Sequence, residues 1–344
     1  MASTLAGAIK ALMNEVATGL PMTEAQTARA LELLMTEAAT PVQMGAFLMA
    51  LRVRGETIDE ITGAARFLRA RMLPVDVPED AIDIVGTGGD GHGTYNVSTC
   101  AALVAAGAGA RVAKHGNRSV SSLSGASDVL TALGVRLDVA PPVVSQAISD
   151  AGVGFLWAPM HHPSMKAWAP IRADLGVRTL FNLLGPMCNP GGVKRQILGV
   201  YAKAWVEPVA EVMRKLGSEH VWVVHGSDGL DKLTTTGIST VAELFDGAIT
   251  VREVTPEDAG LHRVTLADLK GGDAAHNAAA IRAVLAGEEG PFRDIVLLNA
   301  AAALVVAGKA ANLVDGVERA ARSIEGGAAA RALERLVRVT NTGT

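Results

Sequence analysis

From residue 82 to residue 226 the chain alternates short runs of β-branched and aliphatic residues with alanine-rich segments. This alternation predicts βα units, in which each helix covers one face of a mostly parallel sheet. Because 49% of the 344 residues are hydrophobic and only 3% are aromatic, the core must be built from Ala, Val, Leu and Ile. We therefore expect an α/β protein with closely packed helices. The runs are IDIV, ALVAAGA, RVAKHG, DVLTALG, VGFLWAP, RQILGVY and HVWVVHG.

The region before this alternation has a helical pattern. Apolar residues recur at helical spacing from residue 5 to about residue 71, and the next segment, MLPVDVPED, has the prolines and acids of a linker. Further along, VAELFDGAITVREV predicts a hairpin that turns at Asp246 and Gly247. The length favours about two domains. Three threonines stand where helix N-caps are expected: Thr23, Thr40 and Thr57.

The charge and cysteine content exclude several classes of protein. The formal net charge is -4, with no acidic or basic tail, so we expect neither a nucleic-acid partner nor a membrane surface. Only Cys100 and Cys188 are present, which predicts neither a disulfide framework nor a cysteine metal site. The first residues lack the order of a signal peptide, and no apolar run is long enough to span a membrane. We expect a soluble, cytoplasmic protein.

The loop after IDIV contains a glycine pattern of the dinucleotide-binding type. Gly86, Gly88 and Gly91 satisfy G-x-G-x-x-G. A dinucleotide site also needs an acid about 20 residues later to hold the ribose, and no acid occurs between Gly91 and Ser127. The bases near the next strand leave an NADP site open, although the missing acid disfavours a dehydrogenase. These bases are Arg111, Lys114, His115 and Arg118.

The same loop is better suited to bind a phosphate. Its glycines allow backbone N–H groups to approach an anion, and a helix that begins near Val97 directs its partial positive charge to the same place. Asp90 in the loop is expected to accept hydrogen bonds from sugar hydroxyls or from loop amides. Three residues at the helix start suit helix capping as well as binding of Mg²⁺ or phosphate: Asn96, Ser98 and Thr99.

A second polar loop, KHGNRSVSSLSG, follows the next strand. Two neighbouring βα loops at the carboxyl ends of strands can meet around one polyphosphate. Together with GTGGDG, NVST, HHPSMK, PIRADLGVRTLFNLLGPMCNP and GSDGLD, this loop occurs in the order and spacing of one family. The chain resembles the anthranilate phosphoribosyltransferases over nearly its whole length.

The resemblance implies a reaction and a fold. The 5-phosphoribosyl group would pass from phosphoribosyl pyrophosphate (PRPP) to the amino group of anthranilate, with release of pyrophosphate, in L-tryptophan biosynthesis. The fold would be of the class II nucleoside phosphorylase type. It would have a small helical domain of residues 1–72, joined by roughly 165–185, and an α/β donor-binding domain of 73–164 and 186–344. The resemblance also implies a homodimer joined through the helical domain, and two Mg²⁺ ions bound at each active site.

The resemblance also assigns residues to ligands by motif. Arg172 would hold the anthranilate carboxylate, with Gly86 and Asn117 also at the acceptor, and Ser98 and Asp231 would bind metal. No general base or nucleophile is assigned, although Lys114 and His115 lie nearby. The donor would contact Gly86, Gly89, Asp90, Thr94, Asn96, Val97, Ser98, Thr99, Lys114, His115, Gly116, Asn117, Arg118, Ser119, Val120, Ser121 and Ser122.

The chain departs from the family at one position. The family has a "DE" pair after "DGL", whereas this chain reads DGLDKL, so that Lys232 stands where the glutamate is expected. An ammonium group beside a single carboxylate should weaken one of the two metal sites. Our hypothesis is that the protein still uses Mg²⁺ delivered by the pyrophosphate, with one protein-side site weakened and Lys232 in direct contact with the pyrophosphate. The alternatives are a low-activity homologue, an engineered change and a side chain that points to solvent.

Two other interpretations are less favoured. Zinc at His161 and His162 is disfavoured because no third ligand follows at suitable spacing; Trp157, Met160 and Met165 nearby fit an aromatic pocket wall or ordinary core. A pyrimidine nucleoside phosphorylase or a nucleic-acid-binding relative would share the fold. The motifs and the slightly acidic charge favour the anthranilate enzyme over both.

Overall fold

The computed structural model of the chain describes residues 2–118 and 123–342. Within them the chain forms two compact units. The helical unit comprises the chain up to Leu73 together with Pro159–Cys188, and the α/β unit comprises Pro74–Ala158 together with the chain from Asn189 onward. No helix in these described ranges is both long and apolar enough to cross a membrane.

The helices and strands have the following bounds. The helices are α1 (Ala2–Ala17), α2 (Glu24–Leu34), α3 (Pro41–Arg54), α4 (Ile58–Arg69), α5 (Val97–Gly107), α6 (Ala126–Ala132), α7 (Pro141–Ala151), α8 (Ala158–His161), α9 (Trp168–Leu175), α10 (Phe181–Met187), α11 (Val206–Lys215), α12 (Ala274–Leu285), α13 (Pro291–Val306), α14 (Leu313–Glu325) and α15 (Ala328–Thr342). The strands are β1 (Ile82–Gly86), β2 (Val112–Gly116), β3 (Val153–Trp157), β4 (Arg195–Gly199), β5 (His220–Gly226), β6 (Ser239–Phe245) and β7 (Ala248–Val254).

The helical unit begins with four helices, and capping defines the starts of three of them. The threonine hydroxyl before each of α2, α3 and α4 accepts a hydrogen bond from the backbone N–H three residues on, and the side chain at that position accepts one from the threonine backbone. Each reciprocal pair satisfies two backbone donors that a helix start would otherwise leave unpaired. The expected caps are confirmed at Thr23, Thr40 and Thr57.

The α/β unit contains one seven-stranded sheet in the order β3-β2-β1-β4-β5-β6-β7. The first five strands are parallel, and β6 and β7 add an antiparallel hairpin at one edge. The hairpin turn falls at Asp246 and Gly247, which have φ of 50° and 77°. The predicted α/β class, mostly parallel sheet and hairpin are therefore confirmed.

The strand order places a binding crevice beside β1. The chain builds β2 and β3 on one side of β1 and then returns to place β4 and β5 on the other. In open parallel sheets, ligands bind where the strand order reverses, at the carboxyl ends of the strands. Gly86, which pairs with Gly199 of β4, ends β1 at this point.

Small side chains allow the helices of this unit to pack closely on the sheet. α5 and α13 are alanine-rich and bury most of their residues. A Cβ on Gly316 of α14 would lie 2.8 Å from the Cα of Ala301 on α13, so only glycine fits at that crossing. Both cysteines are buried and free. The expected core of small aliphatic residues is confirmed.

Candidate active site

The loop between β1 and α5 leaves the sheet at its point of strand reversal. Four of its glycines adopt the left-handed region that other residues avoid: Gly88, Gly89, Gly91 and Gly93, with φ between 61° and 76°. A Cβ on Gly88 or Gly91 would meet nothing within 4 Å, so this part of the loop borders open space. The first turn of α5 contains no acidic residue. Loop amides and the positive end of a helix dipole thus surround a space suited to an anion.

Asn96 links the two loops and does not cap α5. It occupies the N-cap position, but its side chain makes no capping hydrogen bond. Its Nδ2 donates to the Ser124 carbonyl at 3.2 Å, and its Oδ1 accepts from Asn277 Nδ2 at 2.8 Å. The capping interpretation is therefore wrong for Asn96. Asn277, which sequence reasoning missed, orients this side chain from α12.

The far end of the first loop is attached to the segment that precedes α12. Thr94 forms a β-bridge with Lys270, and the Gly271 N–H donates to the Gly93 carbonyl at 2.9 Å. Lys270 Nζ also donates to the His92 carbonyl at 3.1 Å. Among the expected donor contacts, Thr94 is thus fixed by backbone pairing. No motif in the sequence had pointed to Lys270.

A buried group of polar side chains, which we call the strand cluster, lies between β1 and β2. It consists of Asp83, Lys114 and Asn189. The Asp83 carboxylate accepts from the His115 N–H at 3.1 Å and from Asn189 Nδ2 at 2.8 Å, and Lys114 Nζ donates to the Ile84 carbonyl at 2.6 Å. The sequence placed Lys114 and His115 in a loop over the donor, whereas both lie in β2 and are almost fully buried.

Burial controls the protonation of the strand cluster. It raises the pKa of Asp83 to about 6, although the Lys114 charge and the Asn189 hydrogen bond act in the opposite direction. Burial also lowers the pKa of Lys114, against the attraction of the Asp83 and Asp231 charges. Both shifts have the direction expected when desolvation outweighs pairing.

A second group, which we call the loop cluster, consists of Asp90, Asp231 and Lys232. Lys232 Nζ lies 2.8 Å from Asp90 Oδ2 and 2.8 Å from Asp231 Oδ1. The second oxygen of Asp231 accepts from the Gly88 N–H at 2.7 Å, and Asp90 Oδ1 accepts from the His92 N–H at 3.2 Å. The exposed fractions of the Asp90, Asp231 and Lys232 side chains are 12%, 8% and 8%.

Ion pairing controls protonation in the loop cluster. Burial opposes the charge on Lys232, but the two carboxylates outweigh it and raise the pKa of the ammonium. Burial likewise opposes the charge on Asp90, but the Lys232 ammonium holds the pKa of that carboxyl below its usual range. The alternative that Lys232 points to solvent is wrong, because its side chain is only 8% exposed and lies against two carboxylates. Direct contact of Lys232 with a pyrophosphate stays a prediction.

The GSDGLD turn that carries Asp231 is held by side chains. Asp228 accepts from the Leu230 N–H at 3.1 Å and from the Thr236 hydroxyl at 2.7 Å. Asn299 of α13 donates to the Leu233 carbonyl at 2.8 Å. Asn299 was also missed as a positioning residue, and its signal in the sequence was a lone amide in the apolar helix LNAAAAL.

The remaining expected donor residues follow α5 and β2. Val97, Ser98 and Thr99 form the first turn of α5, with Ser98 partly exposed and Thr99 buried. Gly116 ends β2, and the Asn117 side chain accepts from the Arg118 N–H at 2.7 Å. The expected contacts at Ser119, Val120, Ser121 and Ser122 lie outside the described residues.

In the helical unit, Arg172 lies on α9, with its guanidinium 5.7 Å from the centre of the Phe181 ring. Burial lowers the pKa of Arg172. His161 Nδ1 lies 3.0 Å from the Leu73 carbonyl, and burial lowers the pKa of His162 to about 4. No group of three or more His, Cys, Asp or Glu side chains within residues 2–118 and 123–342 is arranged to hold a metal ion.

The chain combines a glycine-rich loop at the strand reversal of a mostly parallel sheet with a helical unit, and both units match one class of protein, the glycosyl transferases. Residues 78–330 match the family described as "Glycosyl transferase family, a/b domain", and residues 8–72 match its "helical bundle domain".

More similar proteins define the family within this class. The chain is 58% identical to an anthranilate phosphoribosyltransferase of Rhodopseudomonas palustris (strain BisB5), covering 97% of this chain and 99% of the relative. The crystal structure of the Thermus thermophilus enzyme matches with a TM-score of 0.90 at 43% identity over 96% of this chain and 99% of that one. A Saccharomyces cerevisiae enzyme in complex with PRPP and Mg matches with a TM-score of 0.90 at 29% identity, covering 98% of each chain. The chain belongs to the anthranilate phosphoribosyltransferase family, which confirms the resemblance of its motifs.

Proposed function

We propose that this protein transfers the 5-phosphoribosyl group of PRPP to the amino group of anthranilate and releases pyrophosphate, as a step of L-tryptophan biosynthesis. The observation that carries the proposal is the cradle of left-handed glycines before α5 in a chain of this family. A pyrimidine nucleoside phosphorylase or a nucleic-acid-binding relative is less well supported, because the most similar relatives over nearly the full length carry the anthranilate enzyme's name.

The donor binds with its phosphates against the first loop and the start of α5. Departure of pyrophosphate leaves positive character on the ribose anomeric carbon, so the protein must stabilise charge on the leaving group. Backbone N–H groups of the loop and of the first turn of α5 do so without reorganising. Gly86, Gly89, Thr94 and the run from Asn96 to Thr99 are the residues we assign to this contact, with Asn117 and Arg118 from the second loop.

Arg172 binds the acceptor carboxylate. Its guanidinium forms a planar fork that matches a carboxylate, and burial strengthens such a pair. Gly86 and Asn117 are the other residues we assign to the acceptor. The amino nitrogen of anthranilate is unprotonated at neutral pH, so positioning it in line with the anomeric carbon replaces the need for a strong general base.

Within this site, Mg²⁺ fits the position of Ser98 and does not fit the loop cluster. Both carboxylates of the loop cluster already hold Lys232, so they do not fit a protein-held dication. Ser98, partly exposed in the first turn of α5, fits Mg²⁺ that arrives with the diphosphate. Bound there, Mg²⁺ supplies positive charge that neutralises the leaving group.

We further propose that the protein acts in the cytoplasm as a homodimer joined through its helical unit.

The fluorescence of anthranilate tests the function. Purified protein with PRPP, Mg²⁺ and anthranilate should consume the fluorophore, whereas uridine with phosphate should give no reaction. We expect Arg172→Lys to raise the KM for anthranilate by about tenfold or more with a smaller change in kcat, because the bidentate contact is lost. The matched control is Arg29→Lys, an exposed arginine of α2. Absence of turnover with both Mg²⁺ and Mn²⁺ would refute the proposal.

A further inference from the structure

The loop cluster places an ammonium group between two carboxylates beside the anion cradle. Asp90 and Asp231 approach the same point from the first loop and from the GSDGLD turn, and Lys232 Nζ lies 2.8 Å from an oxygen of each. Two carboxylates that converge in this way next to a phosphate-binding loop are the ligand type that a divalent cation prefers. In this chain the cation between the two carboxylates is the Lys232 ammonium, which is part of the protein.

We propose that the Lys232 ammonium substitutes for a divalent cation at the loop cluster, so that the protein binds Mg²⁺ only together with the diphosphate of its donor. The diphosphate part of this proposal rests on the proposed function. Lys232 is then a positioning residue, since it contacts the loop carboxylates and acts on the donor through them.

Each oxygen of Asp231 already has a hydrogen-bonding partner. Oδ1 faces the ammonium, and Oδ2 accepts from the Gly88 N–H at 2.7 Å. A Cβ on Gly86 would lie 2.3 Å from the same Oδ2, so the carboxylate is enclosed by the loop on that side. Mg²⁺ requires oxygens at about 2.0–2.1 Å in octahedral geometry. A Mg²⁺ ion at Oδ1 would lie next to the Lys232 ammonium, whose like charge repels it.

The ammonium also changes the charge next to the cradle. A glutamate at position 232 would leave three carboxylates together without a cation, and they would repel a diphosphate unless metal ions came between them. With Lys232, one ammonium offsets one of two carboxylates. The cluster therefore tolerates a neighbouring anion with fewer metal ions.

The same contacts hold the glycine loop in place before any ligand binds. Asp231 fixes Gly88, while Asp90 fixes the His92 N–H and is itself fixed by Lys232. The three side chains are largely buried, and burial strengthens their attraction. A loop that is ordered by an internal cation presents its other amides to the diphosphate at a lower entropic cost on binding.

Titration of Mn²⁺ by electron paramagnetic resonance, which reports free Mn²⁺, tests this proposal with the full chain. Without other ligands, we expect no Mn²⁺ binding by the wild-type protein. With inorganic pyrophosphate, which itself binds Mn²⁺, we expect about one Mn²⁺ per chain beyond a protein-free control at the same pyrophosphate concentration, because the metal arrives with the diphosphate. Mn²⁺ binding by the wild-type protein alone, or two ions per chain with pyrophosphate, would overturn the proposal whether or not any variant folds.

Two variants sharpen the measurement. Lys232→Glu should bind Mn²⁺ without pyrophosphate, with a Kd at least about tenfold below the highest Mn²⁺ concentration at which the wild type shows no binding, since ligand charge sets affinity at such sites. The Mn²⁺ affinity of Lys232→Met without pyrophosphate should lie between those of the wild type and Lys232→Glu. The control Lys309→Met removes an exposed lysine that lies 3.8 Å from Asp80, and it should behave as wild type.

A folded Lys232→Glu protein, as judged by circular dichroism, that binds no Mn²⁺ alone would also contradict the proposal. None of these readouts requires turnover. If anthranilate is not consumed but the titrations behave as expected, the proposed function fails and the role of Lys232 stands.

Discussion

The strand cluster and the loop cluster each contain a lysine and at least one carboxylate, but the pKa values of these groups shift in opposite directions in the two clusters. In the strand cluster, burial raises the pKa of Asp83 and lowers that of Lys114. In the loop cluster, pairing raises the pKa of Lys232 and lowers that of Asp90. Lys114 Nζ donates to a backbone carbonyl, whereas Lys232 Nζ lies 2.8 Å from each of two carboxylates. The number of direct partners, and not burial alone, decides whether the charged forms are favoured.

This difference matches what each cluster does for the site. Hydrogen bonds of Asp83 and Asn189 connect β1, β2 and the start of the segment before β4, so the strand cluster fixes the base from which both loops leave the sheet. The loop cluster fixes the glycine loop itself. Loss of the first should therefore reduce stability most, and loss of the second should reduce catalysis most.

The largest expected effect is on stability, from Asp83→Asn. The variant leaves the buried Lys114 with the charge of Asp231 alone, and it places an amide NH₂ against the His115 N–H or Asn189 Nδ2, which are both donors. Breaking a buried charge pair in this way should lower the free energy of unfolding by about 3–5 kcal/mol, measured by urea denaturation. As control, Asp80→Asn removes a more exposed carboxylate that lies 3.4 Å from Arg111, and should cost less than about 1 kcal/mol. Equal effects of the two variants would contradict the assignment.

Gly86→Ala should break the loop cluster and leave the strand cluster intact. The new Cβ would lie 2.3 Å from Asp231 Oδ2, so the carboxylate must move away from the Gly88 N–H. We expect kcat/KM to fall by about 100-fold, or about 2.7 kcal/mol of transition-state stabilisation. Gly45→Ala in α3 is the matched control, since its Cβ would meet nothing closer than 3.9 Å. Full activity of Gly86→Ala would show that the position of Asp231 is unimportant.

The pH dependence of stability should reveal the strand cluster. The pKa of Asp83 rises from 3.8 to about 6 in the folded protein, so the folded state binds the proton more tightly than the unfolded chain. The resulting stabilisation is fully present below pH 3.8 and is lost as the pH rises through about 6. We expect a loss on the order of 2 kcal/mol across this window. The difference in free energy of unfolding between wild type and Asp83→Asn at each pH isolates this contribution of Asp83. Identical pH profiles of the two proteins would rule the contribution out.

Glu243, which lies away from both clusters, should show the opposite pH dependence and the smallest effect. A hydrogen bond from His220, with further ones from Trp222 and Arg252, lowers the pKa of Glu243 to about 2. The stabilisation is present above the unfolded pKa of 4.5 and is lost as the pH falls through about 2. Because the carboxylate is partly exposed, Glu243→Gln should cost only about 1 kcal/mol at pH 7. The measurement is urea denaturation from about pH 2 to 7, and stability that rises below about pH 4 would contradict it.

Local patterns in the sequence predicted most of the fold and the place of the site. Threonine caps, the turn at Asp246 and Gly247, and the helix start at Val97 depend on neighbouring residues, and all three occur as expected. The cradle followed from glycines after a strand, because positive φ and strand ends are local properties.

Long-range partners could not be predicted in the same way. Asn96 looked like a cap, yet it bonds residues from two other segments; Lys114 looked like a loop cation, yet it lies inside the sheet. Asp83 is an acid in the apolar strand IDIV, and such an acid must have a buried partner. Its partner Asn189 is distant in the chain, so spacing alone does not identify it.

The sequence by itself determined the class of fold, the family and the chemical type of each loop, because strand and helix periodicity, glycine conformation and motif order are written in consecutive residues. It also showed that Lys232 stands where a glutamate was expected. Only the tertiary structure decided what that lysine does. Its nearest charges are Asp231, its neighbour in sequence, and Asp90, which lies 142 residues away. An ion pair depends on distance in space and on exclusion of water, and folding sets both.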